Sequence, residues 1–266
     1  MVKCANVVLL NGAEIEEEVK PPLFLLCGIE LYQYLAKQIT DRKVYGVFVA
    51  SELAIIKYAM EGKKCDIPFE KLCQQYVDSI LKVQHEGPYE FGGLSFGGYI
   101  AVQVAKKMRD LNLLVDQVYL FDTMLPSAKK GRSNILFIKN IFTCPGDVSN
   151  KIFQKIKNIY SDFQGKKYGS LPQLKNKISH SWDLRKNAFY SIMKNNESSQ
   201  EPYDGKVVLF KASGHRFPEW IIVDESLGWK KLIPNFLEII SVPGDHRSIL
   251  NKENVKNISN VINKKE

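Results

Sequence analysis

Residues Gly92-Gly93-Leu94-Ser95-Phe96-Gly97-Gly98 hold the pattern Gly-x-Ser-x-Gly at Gly93, Ser95 and Gly97. An apolar segment precedes the run and an amphipathic helical pattern follows it. This is the signature of a nucleophile elbow, a tight strand-to-helix turn that projects the serine hydroxyl outward. Side chains two before and two after the serine would collide in that turn, so both positions call for glycine. The following helix aims its first amides at the serine, and that end stabilises an oxyanion. The pattern alone also occurs in ordinary strand–helix turns, so its context matters. Tyr89-Glu90-Phe91-Gly92 reads as a short buried strand. Gly98, Ala101 and Ala105 recur at helical spacing, with Ile100, Val104 and Met108 apolar on the same helix. Small residues let that helix lie close to a sheet.

Working outward, strand and helix patterns alternate. Pro21-Pro22 opens Leu23-Phe24-Leu25-Leu26-Cys27, a buried strand ended by Gly28. A helix is expected over 30–40, with Leu31, Tyr32, Leu35 and Ile39 on one face, then a strand at Val44-Tyr45-Gly46-Val47-Phe48. Residues 68–84 read as a helix opened by Pro68, with Glu70 in its first turn and Leu72, Tyr76, Ile80 and Val83 as its stripe. After the elbow come strands at Val118–Phe121, Val207–Phe210 and Leu237–Val242, and a last helix at roughly 253–263. Such alternation predicts an α/β protein with a mostly parallel sheet and helices on both faces. The pattern breaks after Pro126. Residues 127–200 are polar, basic and helix-like, with helices expected around Ile152–Tyr160 and around 183–194 and no convincing strand. The expected organisation is one domain: a core of 1–126 and 201–266, with 127–200 inserted between two strands as a helical lid.

With 266 residues and 45% hydrophobic content the chain can bury a sizeable core. It has no apolar run of about 18 residues and no signal-peptide pattern, so neither a membrane span nor secretion is expected. Five scattered cysteines without Cys-x-x-Cys spacing read as reduced thiols of a cytoplasmic protein, not as metal ligands or disulfides. No metal motif or phosphate-binding glycine loop is present, so no cofactor is expected. Charge is uneven. Residues 125–200 carry 14 Lys/Arg against 4 Asp/Glu and hold the whole positive excess of the chain. The segment has no nucleic-acid motif, and an acidic protein partner or a solvated lysine-rich surface explains it as well.

A serine hydroxyl needs an adjacent base to attack at neutral pH. His246 stands in Val242-Pro243-Gly244-Asp245-His246, just past the last strand. Loops leaving the C-terminal edge of a parallel sheet lie on the elbow's side. His85 reads as a surface residue at a helix end, His180 falls in the basic insertion, and His215 follows an earlier strand. An imidazole base needs a carboxylate to fix its tautomer. Asp122, after strand 118–121, and Asp224 or Glu225, after strand 207–210, both satisfy the order serine, acid, histidine. Asp245 adjoins His246 but points away from its neighbour's ring, and reads as a loop former. Cys27 reads as a buried strand-end thiol.

Together the stretches Lys20–Phe24, Gly87-Pro88-Tyr89, Gly92–Gly98, Leu120-Phe121-Asp122-Thr123, Tyr203–Ala212, Gly228-Trp229 and Val242–His246 resemble, in order and over nearly the whole chain, type I thioesterase domains of nonribosomal peptide and polyketide synthases. That resemblance implies an α/β-hydrolase fold and selects Asp122 as the acid. It implies that Ser95, Asp122 and His246 release an acyl, peptidyl or polyketide chain from the phosphopantetheine thiol of a carrier protein, by hydrolysis or cyclisation. It places the oxyanion amides at Phe96 and in the loop after the first strand, at Gly28 or Ile29. Two departures stand out. Leu94 replaces the histidine usual before the serine. Cys27-Gly28-Ile29-Glu30 replaces a His-Pro and Gly-pair loop and is about two residues shorter. An acidic carrier could dock on the basic insertion. Val8–Gly12 ahead of Pro21 resembles the lead-in to a C-terminal release domain of a larger synthase. Three other readings share parts of the pattern: an editing type II thioesterase, a general esterase or lipase that would use Asp224, and an inactive hydrolase-fold interaction module.

Overall fold

Seven strands form one sheet, whose central strands β2 (Leu23–Leu26) and β4 (Tyr89–Leu94) are buried while the edge strands β1 (Val7–Leu9) and β9 (Leu237–Val242) stay largely exposed. The structure is a computed structural model that describes residues 6–12, 19–61, 67–131, 187–197, 200–214 and 221–263. The main-sheet strands are β1 (Val7–Leu9), β2 (Leu23–Leu26), β3 (Val44–Val47), β4 (Tyr89–Leu94), β5 (Val115–Phe121), β7 (Val207–Ala212) and β9 (Leu237–Val242). Their order is β1-β3-β2-β4-β5-β7-β9, parallel throughout except for β1 at the edge. An antiparallel pair, β6 (Lys129–Gly131) with β8 (Ile221–Val223), stands apart. Helices α2 (Ala50–Met60), α3 (Phe69–Leu81), α4 (Phe96–Asp110) and α6 (Val255–Ile262) accompany a short α1 (Gln33–Ala36) and α5 at 187–197.

Alternation along the strands sorts the core into two layers. Phe24, Leu26, Phe91, Val118, Leu120, Val207 and Leu209 pack with α3 and α4. Leu23, Leu25, Tyr119, Phe121, Val208 and Phe210 pack with α1 and α6 on the opposite face. One charged group crosses the second layer. Arg42, 1% exposed, pairs through Nη1 with Glu90 Oε2 at 2.7 Å and donates from Nη2 to the Ile262 carbonyl at 3.2 Å.

The structure departs from the sequence reading where burial is decided by neighbours. The helix expected over 30–40 is a 3-10 turn, Ile29–Tyr32, followed by the single turn of α1. Tyr32, Leu35, Ala36 and Ile39 face the sheet, while Leu31 stays 36% exposed because in the 3-10 turn it lies about 120° round from Tyr32. The helix opened by Pro68 begins at Phe69, with Pro68 in extended conformation as the cap. The sequence reading has no counterpart of α2, whose apolar residues run round the helix: Ile55 is buried and Leu53 is 56% exposed. It expects no strand of the main-sheet kind in 127–200, and the short β6 that lies there belongs to the separate antiparallel pair, formed with a segment 90 residues on. Within 127–200, α5 overlaps the helix expected at 183–194; the one expected around Ile152–Tyr160 lies outside the described residues.

Candidate active site

The serine stands where β4 becomes α4. Ser95 has φ 55 and ψ −118, a conformation costly for any residue but glycine. Its surroundings impose it. A Cβ on Gly93 would lie 2.1 Å from the Gly97 carbonyl carbon, and one on Gly97 would lie 2.4 Å from the Leu26 oxygen. Gly98 is equally constrained, because its Cβ would meet Thr123 Oγ1 at 2.0 Å. The turn is pinned by the Ser95 amide, which donates to the Phe121 carbonyl at 3.1 Å. Phe96 then opens α4, so its amide is one of the four that lack an intrahelical acceptor.

The register brings the strand ends together. Leu94 pairs with Phe121, Phe121 with Phe210, and Ala212 with Val242, so the loops after β4, β5 and β9 leave the same edge. Asp122 follows β5 at once, fully buried with φ 45. Its Oδ1 accepts from the Ala212 amide at 2.9 Å, and its Oδ2 lies 2.8 Å from His246 Nδ1. A carboxylate only accepts, so Nδ1 carries the proton and Nε2 carries the lone pair. The loop that presents His246 is set by its neighbours. Asp245 Oδ1 accepts from the Arg247 and Ser248 amides, each at 2.9 Å, and from Ser248 Oγ at 2.8 Å. Those bonds, the Ser248 hydroxyl foremost, hold the Asp245 carboxyl below the usual aspartate range. Asp245 therefore forms the turn.

The other acid is engaged elsewhere. Asp224 Oδ1 accepts from the Ser226 amide at 3.0 Å, from the Ser226 hydroxyl and from the Gly228 amide at 3.1 Å, closing the turn before Trp229. Trp229 Nε1 in turn donates to the Thr123 carbonyl at 2.7 Å, which props the chain just beyond Asp122. This gives the Gly228-Trp229 motif a structural role that its spacing in the sequence did not reveal. His85 lies exposed in the turn after α3, and His180 and His215 lie outside the described residues.

The loop after β2 turns sharply, with φ 62 at Cys27 and 73 at Gly28. The Gly28 amide donates to Glu52 Oε1 at 3.3 Å, so one of the two expected oxyanion donors is already engaged. Ile29 begins the 3-10 turn. Burial, and then the Glu52 charge, push the Cys27 thiol well above its ordinary range, so it stays protonated. Tyr32, which the sequence reading assigns only to packing, ties this loop to the elbow. Its hydroxyl lies 2.7 Å from the Leu26 carbonyl and accepts from the Leu94 amide at 3.0 Å. From the other side α5 stacks Phe189 on Phe96, with ring centroids 4.4 Å apart and planes 13° from parallel.

Among the described residues no group of His, Cys, Asp or Glu could hold a metal ion. Among them no helix is long and apolar enough to cross a membrane.

Residues 25–136, which include Ser95 and Asp122, match the family model described as the thioesterase domain. A non-reducing polyketide synthase of Aspergillus ustus is 29% identical over 126 residues, 46% of this chain and 6% of its own. The polyketide synthase PksR of Bacillus subtilis is 30% identical over 103 residues, 39% of this chain and 4% of its own. The matched segments are thus small parts of much longer synthases. Among solved structures, the NocB thioesterase domain, in covalent complex with a fluorophosphonate nocardicin G analog, superposes with a TM-score of 0.61 and 20% identity over 97% of both chains. The SrfTE thioesterase domain, solved for the cyclization of the lipopeptide antibiotic surfactin, gives 0.56 and 18% over 97% of this chain and 94% of its own. At those identities the likeness is one of fold. The matched family is the thioesterase domain, and the chain carries the α/β-hydrolase fold that thioesterase domains of nonribosomal peptide and polyketide synthases share.

Proposed function

We propose that this chain is a thioesterase that works by acyl transfer through Ser95. The observation that carries the reading is the 2.8 Å pairing of His246 Nδ1 with buried Asp122, on the sheet edge where the elbow holds Ser95 at φ 55. His246 Nε2 takes the Ser95 proton, and Oγ attacks a thioester carbonyl. The Phe96 amide receives the developing oxyanion. The Ile29 amide is the second donor, since that of Gly28 is turned toward Glu52. On collapse the carbon–sulfur bond breaks, and the imidazolium returns its proton to the departing thiolate. A serine ester remains. Water, or a hydroxyl or amine of the acyl chain, deprotonated by the same His246, then releases the product.

The relatives, which are polyketide and nonribosomal peptide synthases, support the substrate class. The departing thiol is the phosphopantetheine arm of a carrier protein, which is substrate here rather than resident cofactor. The excess of lysine and arginine in residues 125–200 suits an acidic carrier. The test is intact-protein mass after brief mixing with an acyl N-acetylcysteamine thioester, beside Ser95→Ala. An acyl adduct on the native chain that Ser95→Ala lacks is expected. Thiol release at equal rates from both proteins would defeat the serine mechanism.

A further inference from the structure

A carboxyl group outside the triad braces the turn after β2 from behind. Glu52, in the first turn of α2, is 5% exposed. Its Oε1 accepts from the Gly28 amide at 3.3 Å and its Oε2 from the Tyr76 hydroxyl of α3 at 2.6 Å. The Cys27 thiol hydrogen-bonds to the same carboxyl. Among the described residues no cation forms an ion pair with it. A buried carboxyl without a cation is costly unless hydrogen-bond partners converge on it, and here they come from the turn itself and from α3.

The turn has need of a brace. Two successive residues, Cys27 and Gly28, lie at positive φ, and Cys27 is not a glycine, so the conformation persists only where neighbours enforce it. Tyr32 fastens one side of the turn to the elbow, and Glu52 fastens the other to α2 and α3.

We propose that Glu52 is a positioning residue for acyl transfer, fixing the shortened Cys27–Gly28 turn so that the second oxyanion amide is held in place. The inference rests on the acyl-transfer reading of Ser95. It also carries a pH dependence. Burial, foremost, raises the Glu52 pKa above the ordinary glutamate value, and the charge of Glu30 adds to this. The titratable groups facing Glu52 are Cys27 on the turn, Tyr76 on α3, and Glu30 and Tyr32 on the 3-10 turn. While neutral, the carboxyl still accepts from Gly28 and sets no charge against the oxyanion. Ionised at higher pH, it places a negative charge behind the turn, and kcat falls.

The test uses the full chain and an acyl N-acetylcysteamine thioester. Glu52→Ala is expected to lower kcat about 10²–10³-fold at nearly constant KM, as loss of one oxyanion donor does. Glu52→Gln keeps an acceptor for the Gly28 amide, so it should retain kcat within about tenfold at neutral pH and lose the decline that accompanies Glu52 ionisation. If Glu52→Ala does not fold, Glu52→Gln and Tyr76→Phe carry the test, with Tyr76→Phe expected to slow kcat by roughly 3–10-fold. The proposal is overturned if Glu52→Ala turns over within about twofold of the native chain, if a folded Glu52→Gln is as slow as Glu52→Ala, or if its pH profile is the native one. A native chain that forms no Ser95 adduct removes the acyl-transfer reading and this proposal together. A native adduct with unaffected Glu52 variants removes only the proposal.

Discussion

Replacing Asp122 by Asn separates geometry from chemistry at this site. The side chain is fully buried, and among the described residues it meets partners of different kinds, the Ala212 amide at 2.9 Å from Oδ1 and His246 Nδ1 at 2.8 Å from Oδ2. The Ala212 amide can only donate, so it fixes the carbonyl oxygen of an asparagine at the Oδ1 position. The amide NH2 then occupies the Oδ2 position and faces Nδ1. Two donors cannot share that contact, so the imidazole carries its proton on Nε2 instead. In that tautomer the nitrogen needed to take the Ser95 proton has no lone pair. The fold should survive, because size and one hydrogen bond are kept. The loss expected for a wrong tautomer is about 10⁴ in kcat, or about 5.5 kcal/mol at the transition state. Steady-state release of thiol from an acyl thioester measures it, with the thermal midpoint as the check on folding. The control is Asp224→Asn, whose carboxyl closes the Ser226–Gly228 turn, and it should leave kcat within about tenfold. A folded Asp122→Asn that keeps a tenth of the native kcat, or an equal loss from Asp224→Asn, would refute the reasoning.

Gly98→Ala would bring a Cβ 2.0 Å from Thr123 Oγ1 and 2.8 Å from the Gly93 oxygen, so a loss of about 1–3 kcal/mol is expected by urea unfolding. Adding Thr123→Ala should return part of it, and a neutral single variant would show that the elbow relaxes freely. Arg42→Met strips the partner from buried Glu90 and should cost about 3–5 kcal/mol, whereas Arg42→Met with Glu90→Leu should cost much less. Equal losses in the single and double variants would assign the effect to packing. The raised Glu52 pKa has a definite sign for stability. Its folded value lies above the unfolded one, so its stabilising contribution is present below the unfolded pKa and fades as pH rises through the folded one. The thermal midpoint of Glu52→Gln should therefore gain on the native protein as pH rises from about 4. A gap that stayed constant with pH would mean that Glu52 titrates as an ordinary carboxyl.

Much of the site can be read along the chain because its parts are local. Gly93, Ser95 and Gly97 belong to one turn, where i±2 crowding dictates residue type. His246 was reached by order along the chain, since a loop after the last parallel strand opens on the elbow's edge. The choice between Asp122 and Asp224 was different. In the sequence both come after strand patterns, and from the residues alone they stay equivalent, since the resemblance and not the pattern favours Asp122. The geometry distinguishes them through hydrogen bonds to Ala212 and to the Ser226–Gly228 turn, partners that no spacing rule connects. The 30–40 stretch shows the same limit. Its four apolar positions look equivalent until the sheet leaves Leu31 outside.

By itself the sequence determined the layered α/β architecture and the elbow with Ser95 at its turn. Strand alternation, helix periodicity and the steric demands of a tight turn act between near neighbours. Only the tertiary structure decided which carboxylate meets His246, that the Gly28 amide turns to Glu52, and that Tyr32 joins two loops 62 residues apart. Those are contacts between segments distant in sequence, fixed by strand register and burial, and a buried polar atom takes whatever partner the fold brings within reach.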